Sequence, residues 1–532
     1  MCVFRIGMVA VPAGAVGGTP KSQDGCQRGD TIQFKVFCTD PTNAKIGAAM
    51  RRYEELADFI ARQIKRGVVR PGDRLLSVRR MRRLRRVSPA TVTRAYQVLE
   101  GQGLLEARPR AGHFVTPRLH QRLPEPSVSK PLSGTRAAAV DDALFEAFKA
   151  LQNEDVVSLA AQYPRPELLP VAKLAKYMAA ACRRMTPRSL CQGHAPGLSE
   201  LRRQIARRYL RSEIEIPPDE IIITAGGREA MNLCLLAVVR PGDVIAVESP
   251  ASVAATFMMN SYGVKTVPLP THPSEGIELG PLETAIREQG AKACWLMSNV
   301  QDPLGGIMPQ KKKKDLAALL KRHRVPLIED DVFAELYYGS ERPSPIKRFD
   351  SEGLVLHCGS FSKSLALGLR VGWVAPGRFY ENVWRRKVLF STSTNVFAES
   401  AIDQYLKYGG YDRHLRSMRA QLEQLALRMQ EAVTRYFPSH SLMTRPVGGY
   451  FLWVQIPNVD TFELYKQAMD ERIAVSPGAP FCGAGTFDDC IRLNYGAPWT
   501  TETEKALRKL GAIAHKLEGS LRNRAPSRTY PS

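Results

Sequence analysis

Apolar positions along this chain follow two different periods, and the change from one to the other sketches its domains. The run YEELADFIARQIKRG from Tyr53 puts Leu56, Phe59, Ile60 and Ile64 on one helical face, and Gly67 closes it. Pro71-Gly72-Asp73 then marks a turn, and Ser77 can cap a short helix. Ser88 or Pro89 opens another, whose inner face is Val92, Ala95, Tyr96 and Leu99. After Gly103 the segment LLEARPRAGHFV alternates with period two, which predicts two short strands around the turn from Pro109 to Gly112. Three helices and a hairpin make a winged helix-turn-helix. Farther on, the apolar runs EIIITAGG, DVIAVESP, KTVPLP, KACWLMSN, VPLIEDDVF, LVLHCGSFSK and VGWVAP are separated by helical stretches. This pattern predicts an α/β fold with a mostly parallel sheet covered on both faces, where function collects at the carboxyl ends of the strands.

With 532 residues, 44% hydrophobic, the chain has room for several packed units. Residues 1–44 read as a poorly ordered extension, 45–116 as the winged helix, 117–150 as a linker of proline, serine and charge, 151–520 as the second domain and 521–532 as a basic tail. The net charge of +23 matters because of where it sits: eleven Lys or Arg and one acidic residue lie between Arg62 and Arg86. A solvated helix face would mix signs, so this cluster expects phosphates, and double-stranded DNA is the predicted partner. In the docking geometry of the motif the helix from Pro89 enters the major groove. Thr91, Thr93 and Arg94 are then the contact candidates, with Arg79 and Arg80 from the cluster and Arg108, Arg110 and His113 at the hairpin over the backbone or minor groove. Ten cysteines occur singly, with no C-x-x-C pair and no histidine at zinc-finger spacing; reduced cytoplasmic thiols and no metal site are expected. No run of about 18 apolar residues predicts a membrane span.

The second domain carries its unusual residues at strand ends. Ile222-Ile223-Thr224 leads to Gly226-Gly227-Arg228 and a helix start, where backbone amides can hold a phosphate. Leu327-Ile328 leads to Glu329-Asp330-Asp331, three carboxylates that need a cation or a proton. Leu356-His357 leads to GSFSKSLALGLRVGW, in which Ser360, Ser362 and Arg370 can grip an anion while Lys363, desolvated beside another cation, becomes a nucleophile toward an aldehyde. A phosphate grip, a carboxylate for a ring nitrogen and a Schiff-base lysine are the three demands of pyridoxal 5'-phosphate.

The stretches RPGDRLLSVR, VSPATVTRAYQVLEGQG and GHFV resemble the DNA-binding domain of GntR-type regulators, with Leu76 where that pattern has proline. SFSKSLALGLRVGW, AGGREAMNL, NVQDPLGGIMP, IEDDVFAEL and IRLNYG make residues from about 155 to 515 similar to the fold-type I aminotransferases. The fusion of the two resembles the MocR subfamily. The resemblance implies a homodimer, a smaller C-terminal α+β subdomain completed by GGYFLWVQIP, and GHAPGLSELR near a mouth shared between subunits. It implies that Lys363 holds the cofactor, that Asp330 pairs with the pyridine nitrogen, and that Gly227, Arg228, Ser360, Ser362 and Arg370 surround the phosphate. Arg492 would receive a substrate carboxylate.

Three departures surround the place of the cofactor ring. Ser252 stands where an aromatic ring stacks, unless Phe257 substitutes from the following helix. Asp302 stands where an asparagine donates to the phenolic oxygen, and Phe333 where a tyrosine is common. Leu367 also replaces a proline before the GLR segment. Three functions remain open on these residues: a regulator that senses an amine, an amino acid or the cofactor itself, a transaminase with true turnover, and a dimerisation scaffold without cofactor.

Overall fold

The first domain has its apolar core on helices α1 (Arg52–Lys65), α2 (Val78–Arg85) and α3 (Pro89–Gly101), followed by the antiparallel pair β1 (Leu105–Arg108) and β2 (Gly112–Val115). The computed structural model describes residues 52–65, 68–69, 73–101, 104–108, 112–115, 123–131, 136–137, 155–187, 195–481 and 486–522. Ser77 Oγ accepts from Arg80 N at 3.3 Å and Ser88 Oγ from Thr91 N at 3.0 Å, so the two serines start their helices. Val92, Ala95, Tyr96 and Leu99 pack with Leu56, Ala57, Ile60 and Ile64. Burial of each large apolar side chain contributes about 1.5–3 kcal/mol. Phe59, expected on the inner face, is only partly buried; the Arg85 guanidinium lies over its ring at 3.6 Å, and Ala57 takes the inner place. Helix α2 buries only Met81 and leaves its arginines exposed.

The second domain is centred on seven strands: β3 (Ile222–Thr224), β4 (Val244–Ser249), β5 (Lys265–His272), β6 (Ala291–Leu296), β7 (Leu327–Asp330), β8 (Val355–Ser360) and β9 (Gly372–Ala375). They lie in the order β5-β4-β6-β7-β8-β9-β3; β5 through β8 run parallel, and β9 is antiparallel to both of its neighbours. Alternate residues feed two cores. Ile245, Val247, Trp295, Ile328 and Leu356 face one side, with Met231 and Leu235 of helix α4 (Gly227–Val238). Ala246, Cys294, Leu296, Leu327 and Val355 face the other, with Leu316 and Leu320 of the helix Gln310–His323. Covering on both sides is what made these strands read as continuous apolar runs.

Beyond the sheet, the 26-residue helix α5 (Tyr411–Tyr436) leads into a smaller four-stranded antiparallel sheet whose central strands are β10 (Phe451–Gln455) and β11 (Cys490–Asn494). Helix α5 also reaches the first domain. A Cβ on Gly101 of α3 would lie 2.5 Å from Gln424 Oε1 and 2.9 Å from Leu427 Cδ1, so the glycine permits this close approach.

Part of the stretch read as a linker is docked. Leu123 is buried in the main core, Ser129 exchanges hydrogen bonds with the backbone of Thr271 at 2.9 and 3.2 Å, and Arg136–Ala137 adds a short strand to β5. A segment rich in proline and serine lacks periodicity, yet one leucine and one hydroxyl suffice to fasten it. The final helix, Thr501–Arg522, runs two residues into the stretch read as tail. The extension 1–44, Gly67, Pro71-Gly72 and residues 523–532 lie outside the described residues.

Strand β9 crosses close to the turn between β3 and α4. A Cβ on Gly372 would fall 2.6 Å from the carbonyl carbon of Gly226 and 2.7 Å from Gly227 N, whereas one on Gly280 meets nothing within 4 Å. Gly372→Ala is therefore expected to lower the melting temperature clearly. Gly280→Ala, in the helix Leu279–Arg287, should be neutral or stabilising by about 0.4–1 kcal/mol. Equal thermal shifts in the two variants would contradict this packing.

Candidate functional site

Strand geometry separates the three carboxylates at the end of β7. Successive side chains on a strand point to opposite faces, so Glu329 and Asp331 share one side and Asp330 takes the other. Glu329 accepts from Ser298 Oγ at 2.7 Å, Ile346 N at 2.6 Å and Lys347 N at 3.0 Å. Asp331 accepts from Asn299 Nδ2 at 2.8 Å and Arg342 Nη2 at 3.3 Å, and pairs with His357 Nε2 at 3.0 Å. Those partners hold its carboxyl below the usual range despite burial. Asp330 is 2% exposed and accepts a long hydrogen bond of 3.4 Å from Val332 N. Burial therefore raises its carboxyl to about 7.

Lys363 approaches from the loop after β8. Its Nζ donates to the carbonyl of Gln162 and lies 4.9 Å from the centre of the Phe333 ring. Desolvation pushes its amine down to about 8, against the pull of Asp302 and Asp330 and with the push of Arg492 and Arg228. Phe333 is fixed edge-on to Tyr450 and Phe451 at 5.4 and 5.5 Å, and the Tyr450 hydroxyl donates to the same Gln162 carbonyl at 3.2 Å.

An anion cradle lies beside the lysine. Gly226, at φ +85°, precedes the first turn of α4; its Cβ would sit 2.7 Å from Arg370 Nη2, and one on Gly227 would lie 2.7 Å from Val332 Cγ1 and 3.3 Å from Ser360 Cβ. Only glycine lets the helix amides come this near. Arg370 itself adopts φ +50° and donates to the Ala225 carbonyl at 3.0 Å. Burial and the adjacent Arg370 charge lower the pKa of Arg228. Ser362 Oγ is buried without a partner among the described residues. Two guanidinium groups that repel each other, the N-terminal turn of α4 and an orphaned hydroxyl fit a bound phosphate. Together with Lys363 and Asp330 they fit pyridoxal phosphate.

Arg492, the expected receiver of a substrate carboxylate, donates from Nη1 to Asp302 Oδ1 at 2.8 Å. Ser252 caps the helix Val253–Ser261 by accepting from Ala255 N at 3.3 Å, and Phe257 packs toward Val253, Trp453 and Phe481. Sequence reading missed Gln162, Tyr450 and Glu248. Glu248 is a buried carboxyl raised to about 8 by desolvation, and it accepts from Met297 N at 3.0 Å. It also missed Lys387, which is fully buried and pairs with Glu229 at 2.9 Å behind the cradle. The GGY of residues 448–450 was a usable signal for Tyr450; nothing local marked the others.

Among the DNA candidates, Arg79, Arg80 and Thr93 are exposed. Thr91 shares a hydrogen bond with Ser88 at 2.8 Å, within the cap. Arg94 lies over Tyr53 at 5.8 Å and faces Glu423 of α5. His113, expected over the DNA backbone, packs on Tyr96 at 4.8 Å and pairs with Glu100 at 3.3 Å. Arg110 and the side chain of Arg108 lie outside the described residues. No group of three or more metal-ligating side chains occurs among the described residues, and none of their helices is long and apolar enough to cross a membrane.

Fold and site together define a winged helix joined to an aminotransferase-like domain of fold type I. Residues 52–115 match the gntR family of bacterial regulatory proteins, and residues 154–510 match aminotransferase class I and II. The chain belongs to the MocR subfamily of GntR-type helix-turn-helix regulators. It is 39% identical over 465 residues to the HTH-type transcriptional regulator YdcR of Escherichia coli, covering 87% of this chain and 99% of that regulator. The multiple substrate aminotransferase of Thermococcus profundus superposes with a TM-score of 0.66 at 28% identity, over 72% of this chain and 96% of that one. The Pyrococcus horikoshii kynurenine aminotransferase, solved with PMP, gives 0.65 at 26% identity, over 71% and 95%.

The raised carboxyls set a pH dependence. Between their unfolded values near 4 and folded values of about 7 and 8, Asp330 and Glu248 hold protons in the folded state that the unfolded chain has lost. Their contribution to stability is thus full below about pH 4 and is lost as pH rises to about 8. Melting curves of the cofactor-free protein should show this decline, with a shallower slope in Asp330→Asn; an unchanged slope would contradict it. Labelling of Lys363 by an amine reagent should reach half its maximum near pH 8, read by peptide mass. A rate still climbing through about pH 10, as for an ordinary lysine, would refute the shift.

Proposed function

We propose that the protein is a DNA-binding regulator whose second domain holds pyridoxal 5'-phosphate and reports the arrival of an amine to the winged helix. The observation that carries this reading is the reach of α5. At one end Tyr411 shares a 2.7 Å hydrogen bond with Ser364, the neighbour of Lys363, and His414 Nε2 bonds to the Ser364 carbonyl at 2.7 Å. Thirteen residues on from His414, about 20 Å along the axis at 1.5 Å per residue, Leu427 lies against α3. A shift of the lysine loop therefore has a rigid path to the helix that would enter the major groove.

When bound, the cofactor supplies an aldehyde carbon that exchanges one amine for another and a ring that draws electrons from it. The chain's own residues do the rest. Gly227, Arg228, Ser360, Ser362 and Arg370 would hold the phosphate, and Asp330 would pair with the ring nitrogen. Lys363, neutral at mildly basic pH, would hold the carbonyl carbon. Ser252 offers no ring to stack, Phe333 no hydroxyl, and Asp302 no donor to the phenolic oxygen. The grip is kept while the tuning of the ring is weakened, which favours sensing over turnover.

The dimer belongs to the same proposal. Leu389 and Phe390, 81% and 68% exposed, end the helix Tyr380–Phe390 that also carries Lys387 behind the phosphate cradle. An apolar tip beside the site suits a second copy, and two winged helices would then address two half-sites. Leu389→Asp with Phe390→Asp is expected to shift the solution mass toward monomer; an unchanged mass would place the interface elsewhere.

Added pyridoxal phosphate should give the protein a near-visible absorption that Lys363→Ala abolishes and Arg370→Ala obtains only at higher concentration. Duplex from the upstream region should bind with an affinity that falls steeply with salt. Ethylamine or L-alanine should change both the spectrum and duplex affinity without release of a carbonyl product. Steady carbonyl production would support the transaminase instead, and a colourless protein the scaffold.

A further inference from the structure

We propose that Asp302 is a built-in stand-in for a ligand carboxylate, so that the amine site selects primary amines lacking a carboxylate over α-amino acids. The inference rests on the reading that Lys363 and its cofactor receive an amine, and it names the class of that amine. Arg492 is 1% exposed, and its guanidinium carbon lies 4.1 Å from the centre of the Phe451 ring and 5.1 Å from that of Phe481. Its Nη1 donates to Asp302 Oδ1 at 2.8 Å and its Nη2 to the Ala160 carbonyl at 3.2 Å; Nε has no partner among the described residues. The cation's charge is therefore already matched by an anion of the chain, at the position where the related pattern has a neutral asparagine.

Asp302 is itself only 8% exposed, and its charge acts on Lys363 as well as on Arg492. A ligand carboxylate has two ways to reach the guanidinium. It can expel Asp302, which strands a buried carboxylate without its cation, or it can join Asp302, which sets two anions against one guanidinium with the Asp330 and Glu248 carboxyls close by. An uncharged substituent meets neither penalty. The free Nε donor suits a neutral oxygen on such a ligand.

Two measurements test this. In the first, propionate is titrated into the cofactor-free protein and followed by thermal shift. The native chain should give no saturable response. Asp302→Asn should give one that is lost when Arg492→Ala is added. Saturable binding by the native chain within about two-fold of Asp302→Asn would overturn the proposal. In the second, ethylamine and L-alanine are titrated into the native protein carrying pyridoxal phosphate and read by absorbance. Loss of a buried ion pair predicts a preference for ethylamine of at least about ten-fold, shrinking or reversing in Asp302→Asn. Equal or tighter binding of L-alanine by the native protein would overturn the proposal, and this comparison decides even where Asp302→Asn fails to fold. A protein that takes up no colour defeats the cofactor reading on its own, and the propionate titration then decides the role of Asp302.

Discussion

Asp330 is withdrawn from water with one long backbone hydrogen bond, and the amine of Lys363 is turned inward onto a single carbonyl. Each group is thereby pulled toward neutrality, the carboxyl up to about 7 and the amine down to about 8. Leaving polar groups under-satisfied in a low dielectric costs stability. The surroundings show how the fold sustains it: Glu329 and Asp331, one residue to either side, are saturated with donors. The strand pleat gives the domain two anchoring carboxylates and one that is kept poised. The same logic extends to the cradle, where Arg228 and Arg370 repel each other until an anion arrives.

Helix α5 touches both that region and the first domain. Ser364, next to the lysine, is held by Tyr411 and His414, and the helix they begin is long and buried along Leu415, Met418, Leu422, Leu425 and Met429. A helix packed this continuously moves as a unit. Its other contacts, Glu423 toward Arg94 and Leu427 against Gly101, fall on the helix that would read the major groove. In the proposed reading Arg94 would be shared between a phosphate or base edge and the acidic Glu423 within the chain, and a displacement of α5 would alter duplex affinity through that competition.

Much of this was legible in the sequence because it depends on local pattern. The inner faces of α1 and α3, the two serine caps and the alternation of strand and helix follow from periodicity and capping alone. The cradle and the lysine stand out because glycine turns, paired serines and a lone lysine are rare together, while the roles of these residues toward a cofactor come from the resemblance. What escaped depends on contacts across more than a hundred positions. Asp302 and Arg492 are 190 residues apart and Lys363 and Gln162 are 201 apart, and no local signal pairs them. The place of His113 on the hairpin is visible in the sequence, but its packing on Tyr96 is not. Phe59 was read as core because hydrophobicity does not reveal that an arginine will cover it.

In the proposed reading, the amine site and the helix that would read DNA share one equilibrium. Linkage then requires reciprocity: if an amine changes duplex affinity by some factor, the duplex must change amine affinity by the same factor. The direct measurement is the dissociation constant of ethylamine, read by absorbance of the cofactor-loaded protein, without duplex and with saturating upstream duplex. Two different constants are expected, with a ratio equal to the ethylamine-induced change in duplex affinity; identical constants would rule the coupling out.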